Sequence, residues 1–180
     1  IFADAFMLAH VMDEMTDTEA RRHLVHVYDL GIAPEADKRG YMVMEYVQGT
    51  TLAAQFASYQ RVPVPLMLKW ARQLCTALQG LHALPQPVLH RDLKPDNVLL
   101  GVDRQVRIVD FGLAARLLQQ GHVAGITGTL AYMSPETILG LSTPASDVYS
   151  IGLILYQGLT GQHPFAHLIP PTSMPTEQYS

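Results

Sequence analysis

Two short apolar runs, Val98-Leu99-Leu100 and Val106-Arg107-Ile108-Val109, stand either side of Gly101 to Gln105, and that spacing reads as a β-hairpin. What brackets the hairpin constrains the chain most. His90-Arg91-Asp92-Leu93-Lys94-Pro95-Asp96-Asn97 leads into the first run, and Asp110-Phe111-Gly112 follows the second. A hairpin sets Asn97 and Asp110 side by side, so two oxygen donors, a further carboxylate and an ammonium group collect at one end of the element. Magnesium favours carboxylate and amide oxygens completed by phosphate oxygens and water. Asn97 and Asp110 supply one oxygen of each kind. The pattern points to phosphoryl transfer, a reaction carried mostly by positioning and charge stabilisation.

The two segments resemble the catalytic and metal-binding loops of the protein kinase family. The resemblance implies that Asp92 orients the acceptor hydroxyl and takes its proton, and that Lys94 neutralises charge on the transferring phosphate. It also implies that Asn97 and Asp110 hold Mg2+, with Mn2+ an alternative, against ATP. A lysine at position 94 resembles the serine/threonine-specific branch. An isolated Asp-Phe-Gly occurs by chance in many chains, and the hairpin context is what gives the pair of motifs weight. The implied fold is α+β and protein-kinase-like, mainly the helical large lobe plus the end of the small lobe, truncated at both ends. Residues 1–46 would be the partial small lobe (the end of a helix and two strands) and 47–51 the hinge. Residues 52–166 would be the large lobe, and 167–180 a proline-rich loop or tail.

Gly128-Thr129-Leu130-Ala131-Tyr132-Met133-Ser134-Pro135-Glu136 resembles the end of a kinase activation segment, with Ser134 where alanine is commoner. Asp147-Val148-Tyr149-Ser150-Ile151-Gly152 resembles the start of the helix on which the large lobe is built. Together these segments are similar to the bacterial eukaryotic-like kinases. By this likeness Thr129 hydrogen-bonds Asp92, Asp147 anchors the backbone near His90 and Arg91, and the usual arginine partner of Glu136 is expected beyond Ser180. Read from the residues alone, Asp147 is equally an ordinary helix N-cap. Val148 to Leu159 is apolar on nearly every face, so that helix is expected to be surrounded by protein or lipid, and it is too short to span a bilayer. In the family Arg91 receives a phosphate carried by the activation segment. Phe111 to Ile126 contains no Ser, Thr or Tyr. Because Thr129 already has an implied contact with Asp92, any activating phosphate is expected on Thr127, or else the loop is not regulated this way.

Tyr41 to Gly49 reads as a buried strand ending in a turn, and it resembles the linker between kinase lobes. The Glu45 carbonyl and Val47 amide would then bind adenine, with Met44 behind the pocket and Leu99 beneath the ring. Met44 and Leu99 are expected to be buried on either reading. Leu66, Trp70, Leu74, Leu78 and Leu81 recur at spacings of four and three, the mark of an amphipathic helix, with Pro63 and Pro65 at its start. Cys75 within it reads as a small core residue, and a lone cysteine fits a reducing compartment. Ile1 to Val11 resembles the end of the small-lobe helix, with Asp4 where the family has the glutamate that pairs with the ATP-positioning lysine. Leu8 would join Val27, His90 and Phe111 in a stacked column; a surface acid one turn from a core leucine explains Asp4 and Leu8 equally well. Met12 to Arg22 either extends the helix or forms a loop.

The chain has three lysines, Lys38, Lys69 and Lys94, none of them where the ATP-positioning lysine belongs, and no two of its glycines stand two apart. That lysine and the glycine-rich loop are expected before Ile1. The 180-residue chain is accordingly expected to bind nucleotide weakly and to turn over little. Beyond Phe165 the sequence reads as a loop or tail. His163 and His167 have a helical ligand spacing, but Pro164 and Pro170 argue against a helix and hence against a metal site there. A net charge of -4 argues against a nucleic-acid partner, and nothing resembles a signal peptide or membrane span. A cytoplasmic location and a protein substrate with a Ser or Thr acceptor are expected, while oligomeric state is not legible. The competing reading is a non-catalytic kinase-like scaffold, disfavoured because Asp92, Lys94, Asn97 and Asp110 are all present.

Overall fold

The computed structural model describes residues 7, 9, 11–33, 39–117 and 121–168. Asp4, Leu8, Lys38 and the tail beyond Leu168 lie outside the described residues. Within Met12 to Arg22 both expected outcomes occur in turn: residues 11–14 are helical, a short break follows, and α1 (Thr18–Arg21) begins. Its start is set by Asp17, whose carboxylate accepts from the amides of Glu19 at 2.9 Å and Ala20 at 3.1 Å.

The largest element is α3 (Val64–His82), which follows α2 (Leu52–Tyr59). Trp70, Leu74, Leu78 and Leu81 are buried along it together with Met67 and Ala77, while Leu66 is half-buried. Each full burial of this kind contributes roughly 1.5–3 kcal/mol. Cys75 is exposed rather than core, because it falls on the opposite stripe with Leu68, Arg72 and Gln79. Gly80 lets α1 approach: a β-carbon there would lie 2.4 Å from the Ala20 β-carbon and 3.1 Å from Met15. The other side of α3 packs on α5 (Pro144–Thr160), which Thr143 and Ser146 start with reciprocal capping bonds. Asp147 is therefore one turn inside the helix, and the N-cap reading of it is wrong. Nor is α5 enclosed on nearly every face: Val148, Gly152 and Tyr156 form an exposed stripe.

The expected hairpin is β5 (Val98–Gly101) with β6 (Val106–Ile108), joined on its outer edge by β3 (Gly49–Thr51). The register pairs Leu99 with Arg107 and Thr51 with Leu99. The chain leaving α1 is pinned to β6, since Ile108 N donates to the His23 carbonyl at 2.8 Å and Val25 N to the Ile108 carbonyl at 3.0 Å. Only then does it enter the antiparallel ribbon of β1 (Val27–Ala33) and β2 (Arg39–Met44). The reading of Tyr41 onward as a buried strand fails here. Val43 is 47% and Met44 42% exposed, because a two-stranded ribbon packs on too little of the described structure to cover either face. Leu99, expected to be buried, is half-buried.

Two short pairings finish the lower part. β4 (Val88–Leu89) pairs with β7 (Ala115–Arg116), and β8 (Val123–Ala124) pairs with β9 (Leu141–Ser142). Between them α4 (Pro135–Ile138) is capped by the Ser134 hydroxyl. No described helix is long and apolar enough to cross a membrane.

Candidate active site

The loop from β4 to the 3-10 turn Pro95–Asn97 carries the site, and its backbone is held from below. Asp147 on α5 is 2% exposed, and its carboxylate accepts from His90 N at 3.0 Å and Arg91 N at 2.9 Å. A third partner was not foreseen: His82 Nε2 lies 3.0 Å from Asp147 Oδ2. Its place in the last turn of α3, just before the loop, was the only signal available. This clamp holds Arg91 at φ 70°, a left-handed conformation costing a side-chain-bearing residue about 1–3 kcal/mol. Asp110 has φ 61°, so both ends of the site store strain.

His90 is fully buried, and its ring meets Phe111 edge-on with centroids 4.8 Å apart. Burial pushes its pKa below the ordinary histidine value, against the opposing pull of Asp147, so the ring is neutral. The hydrogen bonds assign the tautomer: Nε2–H donates to the Val109 carbonyl at 3.1 Å, and Nδ1 accepts from Asp92 N at 3.3 Å. Phe111 and Val27 are buried as well.

Both Asp92 oxygens are occupied. Oδ1 accepts from Thr129 N at 2.8 Å and from the Thr129 hydroxyl at 2.7 Å. Oδ2 takes Asn97 Nδ2 at 3.0 Å and the Lys94 ammonium at 3.0 Å. Lys94 also donates to Thr129 Oγ1 at 2.8 Å, closing a triangle of Asp92, Lys94 and Thr129. Gly128 makes that approach possible. It sits at φ 112°, and a β-carbon there would meet the Arg91 carbonyl oxygen at 2.4 Å.

Asn97 spends its amide nitrogen on Asp92, giving a second bond to the Asp92 carbonyl at 2.9 Å, so Oδ1 is the atom left for a cation. Val109 N donates to the Asn97 carbonyl at 3.0 Å, which brings Asp110 to the same end of the hairpin. Asp110 is exposed, and among the described residues its carboxylate accepts only from Gly112 N at 3.2 Å. No group of three His, Cys, Asp or Glu side chains among the described residues could cage a metal. One amide and one carboxylate oxygen suit instead a cation that keeps water and phosphate ligands, as small hard divalent ions do.

Other residues read from the sequence fall close by. Glu45 holds its carboxylate on Arg107 Nε at 2.8 Å, tying the linker to β6, a bond the sequence did not announce. Neither the Glu45 carbonyl nor the Val47 amide has a hydrogen-bond partner among the described residues, so both can receive a ligand edge. Met44 ends β2, and Leu99 sits in β5 one residue past Val98, the first residue after Asn97. Arg91 Nη2 donates to the Gly125 carbonyl at 3.3 Å while its Nε is buried without a partner among the described residues. Thr127, two residues past Gly125, is half-buried. Glu136 accepts from the Ser146 hydroxyl at 2.6 Å, and this bond, with help from Ser134, holds its pKa below the ordinary glutamate value.

Comparison with known proteins agrees with this geometry. Residues 7–176 match the protein kinase domain. Serine/threonine-protein kinase PrkC of Bacillus subtilis is 36% identical over 146 residues, covering 79% of this chain and 22% of the relative. PknB of Mycobacterium leprae is 38% identical over 147 residues, covering 79% and 23%. Serine/threonine-protein kinase A of Synechocystis is 37% identical over 155 residues, covering 79% and 29%. The chain thus spans less than a third of the length of these curated relatives, and by the match across nearly all of its own length it belongs to the protein kinase domain family.

Proposed function

We propose that these residues transfer the terminal phosphoryl group of ATP to Ser or Thr hydroxyls of a protein substrate. The carrying observation is the Asp92, Lys94, Thr129 triangle. A carboxylate offers about four lone-pair positions, and here Thr129, Asn97 and Lys94 fill all four. A substrate hydroxyl can bind Asp92 only if one donor leaves. Lys94 is the donor free to move: its flexible stem carries a point charge that an incoming phosphate attracts more strongly than a carboxylate shared with two other residues does. Departure of Lys94 toward the phosphate opens Oδ2 to the hydroxyl, so phosphate and acceptor are admitted together. The hydroxyl oxygen then bonds to phosphorus as the bond to ADP breaks, and its proton passes to Asp92. Thr129 and Asn97 keep the carboxylate aimed throughout.

Mg2+ is the proposed metal, held by Asn97 Oδ1 and Asp110, where it would offset charge on the phosphates. Adenine would read the free Glu45 carbonyl and Val47 amide. Thr127 is the proposed regulatory phosphosite, because the half-buried Arg91 side chain already reaches Gly125 through Nη2.

With neither described lysine, Lys69 or Lys94, placed for ATP positioning, turnover by this chain is expected to be low, so the test is a single-turnover assay with protein in excess over labelled ATP and a Ser/Thr-containing acceptor protein. Label should appear as phosphoserine or phosphothreonine. Asp92→Asn should reduce the rate by about 10²–10⁴-fold. Equal labelling by the two proteins would refute the assignment and leave the scaffold reading standing.

A further inference from the structure

Two cavities open at the turn end of the β5–β6 hairpin, the end opposite Asn97 and Asp110. One encloses about 420 Å³ between α1, the linker and the hairpin turn. The other encloses about 390 Å³ between α1 and α3. They adjoin where Gln73, lining one, is hydrogen-bonded to Gln105, lining the other. Of their lining residues, Glu45 alone also belongs to the proposed phosphotransfer site.

The charge of this groove opposes that of the chain. Five cations, Arg21, Arg22, Lys69, Arg72 and Arg107, line it against three carboxylates, in a chain of net charge -4. All three carboxylates are engaged. Glu19 holds Arg22 at 3.1 Å, and Glu45 and Asp103 each hold Arg107 at 2.8 Å. Arg21, Lys69 and Arg72 have no carboxylate partner among the described residues. The excess positive charge is therefore unspent and distributed along both cavities, with Leu24 and Met12 lining one and Pro65 and Leu68 the other.

The shape selects among anions. A single phosphate would occupy a small part of either cavity and could not use cations in both. No Phe, Tyr or Trp lines them, so there is no stacking platform for nucleic-acid bases. The cations line concavities, which the flat surface of an anionic bilayer reaches poorly. An extended peptide meets the requirements: its carboxylates can be spaced to reach successive cations while its backbone lies on the apolar lining. We propose that this groove docks an acidic peptide segment of a partner protein through Arg21, Lys69 and Arg72.

The test needs no ATP, so its outcome is independent of the phosphotransfer proposal. Fluorescence anisotropy of a labelled glutamate/alanine peptide is compared with its glutamine counterpart, using the whole chain. The glutamate peptide should bind, the glutamine one should not, and added NaCl should weaken binding. The triple substitution Arg21→Ser, Lys69→Ser, Arg72→Ser should weaken it at least about tenfold, while Arg61→Ser, an exposed cation elsewhere, should leave it unchanged. Should the triple variant melt early by circular dichroism, Arg72→Gln alone, on the exposed stripe of α3, should still give a measurable part of the loss. Unchanged binding in the folded triple variant or in Arg72→Gln, equal binding of the two peptides, or capture only of phosphatidylserine vesicles would overturn the proposal.

Discussion

The catalytic loop and the β1–β2 ribbon are both rich in residues that carry the family resemblance, yet they are held in opposite ways. The loop is irregular backbone, but every turn of it is fixed: Asp147 grips two of its amides, His90 bonds Val109, and Asp92 is anchored on both oxygens. The ribbon, apart from a register shift between Val27 and Asp29, is regular backbone whose side chains Tyr28, Ile32, Val43 and Met44 are exposed. Regularity and rigidity are thus separate properties. Order in the loop comes from buried polar groups that must be satisfied, whereas the ribbon has backbone pairing with little burial behind it.

If that contrast is right, the loop breaks hardest when its clamp is removed. Asp147→Ala strands the His90 and Arg91 amides and the His82 ring, and unsatisfied buried groups cost about 1–3 kcal/mol each, so destabilisation of about 3–5 kcal/mol is expected in urea unfolding. A loss under about 1 kcal/mol would show that the loop does not depend on α5. Gly128→Ala comes next. It combines a left-handed backbone with a collision against the Arg91 carbonyl, and should cost about 1–3 kcal/mol. It should also displace Thr129 from Asp92, so the single-turnover rate should drop by more than the stability loss explains.

Acid should reach the loop before the ribbon. The neutral, buried ring of His90 has a pKa held below the value of about 6.5 it regains on unfolding. The unfolded chain therefore binds more protons as pH falls through about 6.5, and stability should be constant above that point and decline below it. His163 is shifted in the same direction by burial and adds to the decline. Once the intrinsic pH dependence of amide exchange is divided out, protection at His90 and Asp92 should fall between pH 7 and pH 5 more than protection within β1 and β2. A uniform fall would mean that the two regions open together.

Much of this was legible because chemistry and local geometry coincide. The hairpin followed from two apolar runs and a glycine, and the Asp92, Thr129 and Asp147 contacts followed from motifs whose residues have few other uses. What was not legible depended on long-range packing. Nothing local distinguishes a strand covered on both faces from one left open, so Tyr41 to Met44 read as buried and is not. Cys75 is a small apolar residue one position from the core residue Leu74, and a turn of about 100° per residue is enough to put it in solvent. The His82 to Asp147 and Glu45 to Arg107 bonds join residues far apart in sequence whose types are common on any surface.

The smallest effect is the sharpest test of the contrast. Val43 is apolar, β-branched and in regular strand, and by sequence alone replacing it with threonine would look like burying an unpaired hydroxyl, a loss of about 1–3 kcal/mol. At 47% exposure the added hydroxyl instead finds water, while the β-branched shape that suits a strand is kept. Val43→Thr should therefore change the unfolding free energy measured in urea by no more than about 0.5 kcal/mol in either direction, as at an ordinary surface position. A loss above about 1 kcal/mol would mean that this face of the ribbon is covered in solution, and the difference between the two regions would then lie in what covers them rather than in how each is built.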